Sequence, residues 1–349
     1  MPILITGGCG FVGINLAEAL LSKGEAVALF DRRPLPDEAR SALSAHPSAL
    51  AVIAGDARDT SALAQLMREH RIERVVHAAV ITSGVQRETS EPGNIIDVNI
   101  GGTVSVMEAA RSAGCRRVLY VSSGAAYGQT LDEPGPLRED APSRPDTLYG
   151  ITKYAAERTV LRLRALWGLD ALCVRLGTVF GPWEYGTGAR DRLSPQLQLA
   201  RLALQGEAAV LPAREVRRDW VYSRDVAAGL VALLDAGRTA PALFHLSSGR
   251  DWAGFFPRWC AQLQAAYPRF SWRIATAAEQ PNIEYNAAAD RAPMDVSRIA
   301  ADAGFVPRFG PHEAAGDFIS WIGLHPRFVA AEAHEARHKD GGGGMRDEG

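Results

Sequence analysis

Ile3-Leu4-Ile5-Thr6-Gly7-Gly8-Cys9-Gly10-Phe11-Val12-Gly13 is the stretch whose reading decides the fold. A helical pattern follows, with Leu16, Ala19 and Leu20 on one apolar stripe, and then Ala26-Val27-Ala28-Leu29-Phe30 closed by Asp31. The order is strand, glycine turn, helix, second strand, acidic residue. Gly7 permits a tight turn, Gly10 lets a pyrophosphate approach the main chain, and Gly13 lets the helix pack close to the strand. The helix-end N–H groups then face the phosphates. A carboxylate at Asp31 can accept both hydroxyls of an adenosine ribose. Read alone, the glycine spacing also suits a plain turn in some other α/β sheet. With its flanking elements it reads as a dinucleotide site.

A chain of 349 residues, 47% apolar, holds one large α/β domain or one and a half ordinary ones. A net charge of −2 gives no reason to expect nucleic acid or an acidic membrane surface as partner. No apolar run has transmembrane length, and Met1-Pro2 leads into a strand rather than a signal peptide. Cys9, Cys115, Cys173 and Cys260 are scattered, with no Cys-x-x-Cys pair, and read as reduced, mostly buried thiols of a cytoplasmic protein. No metal-ligand cluster is visible.

Outward from the opening unit, Leu50 to Asp56 reads as a third strand with an acidic end, and Asp59 as the cap of the next helix. Arg74 to Val80 reads as a fourth strand buried on both faces, running into the small-residue loop Ile81-Thr82-Ser83-Gly84. His77 lies within it and reads as a hydrogen-bonded core histidine. A long helix is expected over 95–113, a fifth strand over 117–123, and a helix from about Tyr149 to Leu166. A sixth strand is expected from Ala171 to Phe180. Residues 171–181 and about 218–248 are expected to rejoin the main sheet. Arg32 and Arg33 could pair with a 2′-phosphate, but Asp31 would repel it, which favours NAD over NADP.

Ser123, Tyr149 and Lys153 form a second constellation. A phenol has a reference pKa near ~10, too high for a base at neutral pH. A lysine four residues on shares its helical face and favours the phenolate. Tyr149 could then exchange a hydroxyl proton while Ser123 holds the same oxygen. Tyr-x-x-x-Lys by itself is an ordinary surface pair; its place after the glycine turn and the serine-ended strand gives it meaning.

On Gly7 to Gly13, Asp31, Asp56, Asn99, Ser122-Ser123, Tyr127-Gly128, Tyr149-x-x-x-Lys153, Arg175, Gly181-Pro182, Arg218 to Tyr222, Arg291 and Asp295-Val296-Ser297, the chain resembles the extended short-chain dehydrogenase/reductase family, nucleotide-sugar epimerase/dehydratase branch. The resemblance covers about residues 2–325. It implies a Rossmann-type doubly wound parallel sheet, bound NAD, and catalysis by Ser123, Tyr149 and Lys153. It also implies a homodimer formed through helices 95–113 and 149–166. The expected cofactor contacts are Gly7, Gly10, Phe11, Val12, Gly13, Asp31, Arg32, Asp56 and Ala57, with Ala78, Ala79, Asn99, Ser122, Tyr149 and Lys153. The expected substrate contacts are Thr82, Ser123, Thr178, Arg190, Arg192, Arg218 and Arg291. Residues 1–180 with about 218–248 read as the NAD-binding domain. Residues 181–217 and 249–330 read as a smaller discontinuous substrate lobe, and 331–349 as a flexible tail.

The departures bear on substrate. Gly124-Ala125 stands where the family's dehydratases carry Asp-Glu, and Thr178 where its nucleotide-sugar epimerases carry Asn. Pro212 to Arg217 replaces the usual Gly-Asp-Gly. A nucleotide-sugar 4-epimerase-like enzyme is the leading expectation. A dehydrogenase of a small sugar or hydroxy acid is the second, and a non-catalytic NAD-binding regulator the third.

Overall fold

The computed structural model describes residues 2–45, 49–128, 135–188, 193–276, 278–285 and 290–330. Arg190 and Arg192, with the tail 331–349, lie outside the described residues. The elements run in chain order: β1 (Ile3–Thr6), α1 (Phe11–Ser22), β2 (Val27–Asp31), α2 (Asp37–Leu43), β3 (Leu50–Ala54), α3 (Thr60–Glu69), β4 (Arg74–His77), α4 (Val85–Ser90) and α5 (Pro92–Ile96). A π-type turn (Asp97–Gly101) leads into α6 (Gly102–Ala113), β5 (Arg117–Ser123), a 3-10 turn (Gly124–Tyr127), α7 (Leu148–Trp167), β6 (Asp170–Leu176) and β7 (Thr178–Phe180). Then follow α8 (Pro195–Gln205), β8 (Ala208–Leu211), β9 (Trp220–Tyr222), α9 (Ser223–Asp235) and β10 (Leu243–Leu246). The described chain closes with α10 (Phe255–Ala266), β11 (Ser271–Ile274), α11 (Ser297–Ala303), α12 (Pro311–Leu324) and α13 (Pro326–Ala330).

Seven strands form one parallel sheet in the order β10-β6-β5-β4-β1-β2-β3. Its strands are apolar on both faces, as a covered parallel sheet requires. In β1, Ile3 and Ile5 enter one core with α1 and α9, while Leu4 enters the other with α3 and α6. Strand order reverses between β1 and β4, so a crevice opens beyond their carboxyl ends, the usual ligand position in doubly wound sheets. His77 is a core histidine: its ring nitrogens lie 2.7 Å from Thr6 Oγ1 and 3.0 Å from Thr103 Oγ1. Burial pushes it down to about 3. Asp59 caps α3 by accepting from Ala62 N at 2.9 Å. All four cysteines are buried and free.

Two expected elements differ. The sixth strand stops at Leu176. At Gly177 the N–H still reaches Leu246 O of β10 (3.1 Å), but Thr178 N turns to Asp219 O (3.2 Å). Thr178–Phe180 and Trp220–Tyr222 therefore pair in a two-stranded sheet of their own instead of rejoining the main one. The expected helix over 95–113 is continuous but widens to a π-type turn at Asp97–Gly101, where Asn99 turns inward and bonds to the loop after β4.

Candidate active site

The crevice is a cleft of about 1150 Å³. Gly7 sits at φ +70°, and a Cβ there would come within 2.6 Å of the Ala79 main chain. A Cβ on Gly13 would meet the Gly7 and Gly8 carbonyls at 2.6 Å, so α1 starts as close to β1 as a helix can. Gly10, Phe11 and Val12 line the cleft with them. Asp31 is buried at the end of β2, where Oδ2 accepts from Cys9 N (3.2 Å) and Oδ1 from Arg33 N (3.1 Å). This carboxylate is fixed by main chain and faces the space beside the glycine turn. Asp56 is held below the usual carboxylate range by the Arg58 hydrogen bond and ion pair (2.7 Å). Arg32 lies 3.7 Å from Asp56, and Arg33 lies 3.6 Å from Asp31. Ala57, Ala78 and Ala79 complete this wall. A glycine turn at a helix start, an oriented carboxylate and small side chains fit a nicotinamide dinucleotide.

Asn99 lies behind the wall. Its amide accepts from Ile81 N (2.8 Å) and donates to Ile81 O and Thr152 Oγ1, both at 3.0 Å. It supports the loop under the cleft and lines none of it.

Ser123, Tyr149 and Lys153 meet in the cleft, together with Ser122. Thr147 caps α7 by accepting from Gly150 N (3.1 Å), which fixes the turn that carries Tyr149. Lys153 is buried, donates to Val121 O at 2.6 Å and lies 4.9 Å from the Tyr120 ring centroid. Burial pushes it down to about 7, against the pull of Cys173 and Glu157. Ser123 Oγ accepts from Ala125 N at 3.1 Å, which leaves its O–H to donate. Ser122 Oγ donates instead to Glu157 Oε2 at 3.1 Å.

Thr82, Thr178, Arg218 and Arg291 line the far side. Arg291 Nη2 donates to Gly128 O at 3.2 Å. Burial and the neighbouring Arg291 push Arg218 down to about 10. Burial also lowers Arg291.

Two features escaped the sequence reading, and a third was foreseen in part. The buried Glu157–Arg175 pair (2.6 Å) stands behind Ser122. Glu157 is one helical turn beyond Lys153, so the spacing contained that signal. Glu88 of α4 brings a carboxylate to the start of α7, 3.3 Å from Tyr149 N. No local pattern signalled Glu88. The third was foreseen only as a loop, Trp183 to Arg192, whose glycines let it close over a ligand at the crevice edge. What the sequence left open was how the segment after Gly181-Pro182 is tied down: Tyr185 donates to Cys9 O (2.6 Å), Arg33 to Thr187 O, and Arg87 to Gly188 O (2.7 Å).

Residues 3–245 match the family described as "NAD dependent epimerase/dehydratase family". The chain is 32% identical over 240 residues to sterol demethylase protein B of Methylococcus capsulatus, covering 68% of this chain and 67% of that one. It is 27% identical to a UDP-glucose 4-epimerase of Lacticaseibacillus casei, over 72% and 78% of the two chains. Its fold is similar to that of a Stenotrophomonas maltophila UDP-glucose-4-epimerase with bound NAD and formylated UDP-arabinopyranose. The TM-score is 0.78 at 23% identity, over 94% of this chain and 99% of that one. A glycine turn, a fixed Asp31 and a Tyr149–Lys153 helix meet at the switch point of one parallel sheet, so this chain belongs to the NAD-dependent epimerase/dehydratase family and is an NAD-dependent enzyme of the extended short-chain dehydrogenase/reductase type.

Proposed function

We propose that the enzyme epimerises a sugar carbon of a nucleotide sugar, with Tyr149 as its acid–base. The observation that carries this reading is the Arg218–Arg291 pair. Two guanidinium groups stand together in the cleft wall, and Arg218 has no hydrogen-bond partner among the described residues. Like charges held half-buried are costly until an anion lies against them, and a diphosphate supplies one with several acceptors. A cavity of about 1150 Å³ exceeds the usual single-ligand range of up to ~1,000 Å³, which suits a dinucleotide beside a second large ligand.

Bound NAD supplies a hydride acceptor and donor. The chain's own residues handle the proton. Lys153 places a cation one turn from Tyr149 and favours the phenolate. Tyr149 takes the hydroxyl proton and gives it back, while the Ser123 O–H holds the oxygen in line. Gly124 offers no acid for water elimination; Met294 Cε and Arg291 Nη1 occupy the space a side chain would need. That favours epimerisation over dehydration.

The remaining parts of this reading follow the same residues. Residues 181–217 and 249–330 serve as a substrate lobe over the cofactor domain. Exposed Ile96, Ile151 and Leu166 on the helices flanking the sheet support a homodimer. Four free, buried thiols suit a reducing cytoplasm. Among the described residues no helix is long and apolar enough to cross a membrane.

Protein as isolated, with no added NAD, is mixed with UDP-glucose or UDP-galactose and inversion at C4 is followed by proton NMR. Interconversion without build-up of NADH is expected. Stoichiometric NADH with an oxidised product would replace this reading by the dehydrogenase one. Tyr149→Phe should keep NAD bound and lower kcat by about 10³-fold, and Arg218→Ala should raise KM by roughly tenfold.

A further inference from the structure

We propose that Glu88 selects the sugar, accepting hydroxyls of a neutral hexose and rejecting a uronic acid. The inference rests on the nucleotide-sugar reading above and adds the class of sugar.

The loop after β4 carries Thr82 and Ser83 into α4 and sets Glu88 in the cleft wall beside Tyr149. Glu88 is half-buried. Its Oε1 is held from two sides, by Ser83 Oγ at 3.2 Å and by Tyr149 N at 3.3 Å. The second contact is to the first turn of α7, so the carboxylate is fixed relative to the phenol that exchanges the proton. Oε2 has no hydrogen-bond partner among the described residues.

Among the described residues no ion pair to Glu88 is formed. Arg87, its chain neighbour, turns to Gly188 O at 2.7 Å and to Glu91 at 3.5 Å. Lys153 is engaged with Val121 O and the Tyr120 ring. Arg291 stands against Gly124 and Gly128, next to Ser123 in the chain, and Arg218 is its neighbour in the cleft wall. The arginine pair, with Asp290 and Asp146 near it, thus lies by Ser123, while Glu88 lies by Tyr149.

A substrate lying along the cleft places its anion on the arginines and its sugar against Glu88. A carboxylate oxygen accepts a hydroxyl in a short, charge-assisted bond. A second carboxylate at the same place loses its water and meets a like charge, which makes it a repulsive element against the wrong partner. Specificity then comes from rejection of the uronic acid as well as from attraction of the hexose.

The test compares kcat/KM for UDP-glucose and UDP-glucuronate, with UDP binding measured separately by calorimetry. The parent should favour UDP-glucose by about 100-fold or more. Glu88→Gln keeps an amide oxygen for Ser83 and Tyr149 N but removes the charge. It should lose roughly tenfold on UDP-glucose and shrink the discrimination to within about tenfold. If the parent uses both sugars equally well, or if Glu88→Gln leaves the ratio unchanged, Glu88 is not the selector, although the nucleotide-sugar reading stands. If UDP does not bind and neither sugar turns over, the nucleotide-sugar reading falls and takes this role with it. Should the variant fail to fold, the parent's ratio alone decides.

Discussion

Lys153 is a lysine held almost entirely out of water. It is 2% exposed, its Nζ bonds to a main-chain carbonyl, and burial lowers its pKa from 10.5 to about 7. The sign of the pH effect follows. Between pH 7 and its unfolded value the unfolded chain binds more protons than the folded one, so the Lys153 contribution to stability rises with pH across that window. NAD-free parent and Lys153→Met should therefore diverge. The parent's unfolding free energy minus the variant's is expected to increase from pH 7 to pH 9 in urea titrations. A flat difference would show that Lys153 is not the depressed group. The residue itself was legible from Tyr149-x-x-x-Lys153; its lack of solvent was not, because His77, Tyr120 and Cys173 approach it from the three strands β4, β5 and β6.

At the scale of the element, α7 presents Tyr149, Lys153 and Glu157 one turn apart. Glu157 takes both Nε (2.8 Å) and Nη2 (2.6 Å) of Arg175 from β6, and the guanidinium lies 4.2 Å from the Tyr127 ring centroid. Both side chains are buried, so breaking the pair strands a charge. Glu157→Gln is expected to cost about 3–5 kcal/mol in urea unfolding, and Glu157→Leu with Arg175→Met to recover most of it. Equal losses in the single and double variants would mean the pair is not a coupled unit. The sequence predicts this helix over about 149–166, and the structure closes it with a Thr147 cap and a left-handed Gly168. The sequence does not mark the π-type turn at Asp97–Gly101, where Asn99 bonds to Ile81, eighteen residues away in the chain.

Over the whole molecule, the apolar side chains left outside both cores matter. Ile96 and Ile151 are each 43% exposed, and Leu166 is 57% exposed, on helices that flank the sheet. The proposed dimer would cover them. Ile96→Glu with Ile151→Glu should convert a dimeric parent to a monomer in sedimentation velocity runs, with the fold and bound NAD retained. A monomeric parent at micromolar concentration would remove the dimer from the reading.

The sequence by itself determined the parallel sheet and the cofactor end of the site. Those depend on local spacing: Gly7, Gly10 and Gly13 three residues apart, an acid at the end of a strand, and a tyrosine and lysine on one helical turn. Tertiary structure decided the rest. Thr178–Phe180 leaves the main sheet because the Asp219 carbonyl accepts from Thr178 N, and Arg218 meets Arg291 although they are far apart in the chain. Glu88 reaches Tyr149 across a loop and a helix end. Contacts between distant segments leave no period in a sequence, since the partner that fixes each residue is set only when the chain has closed on itself.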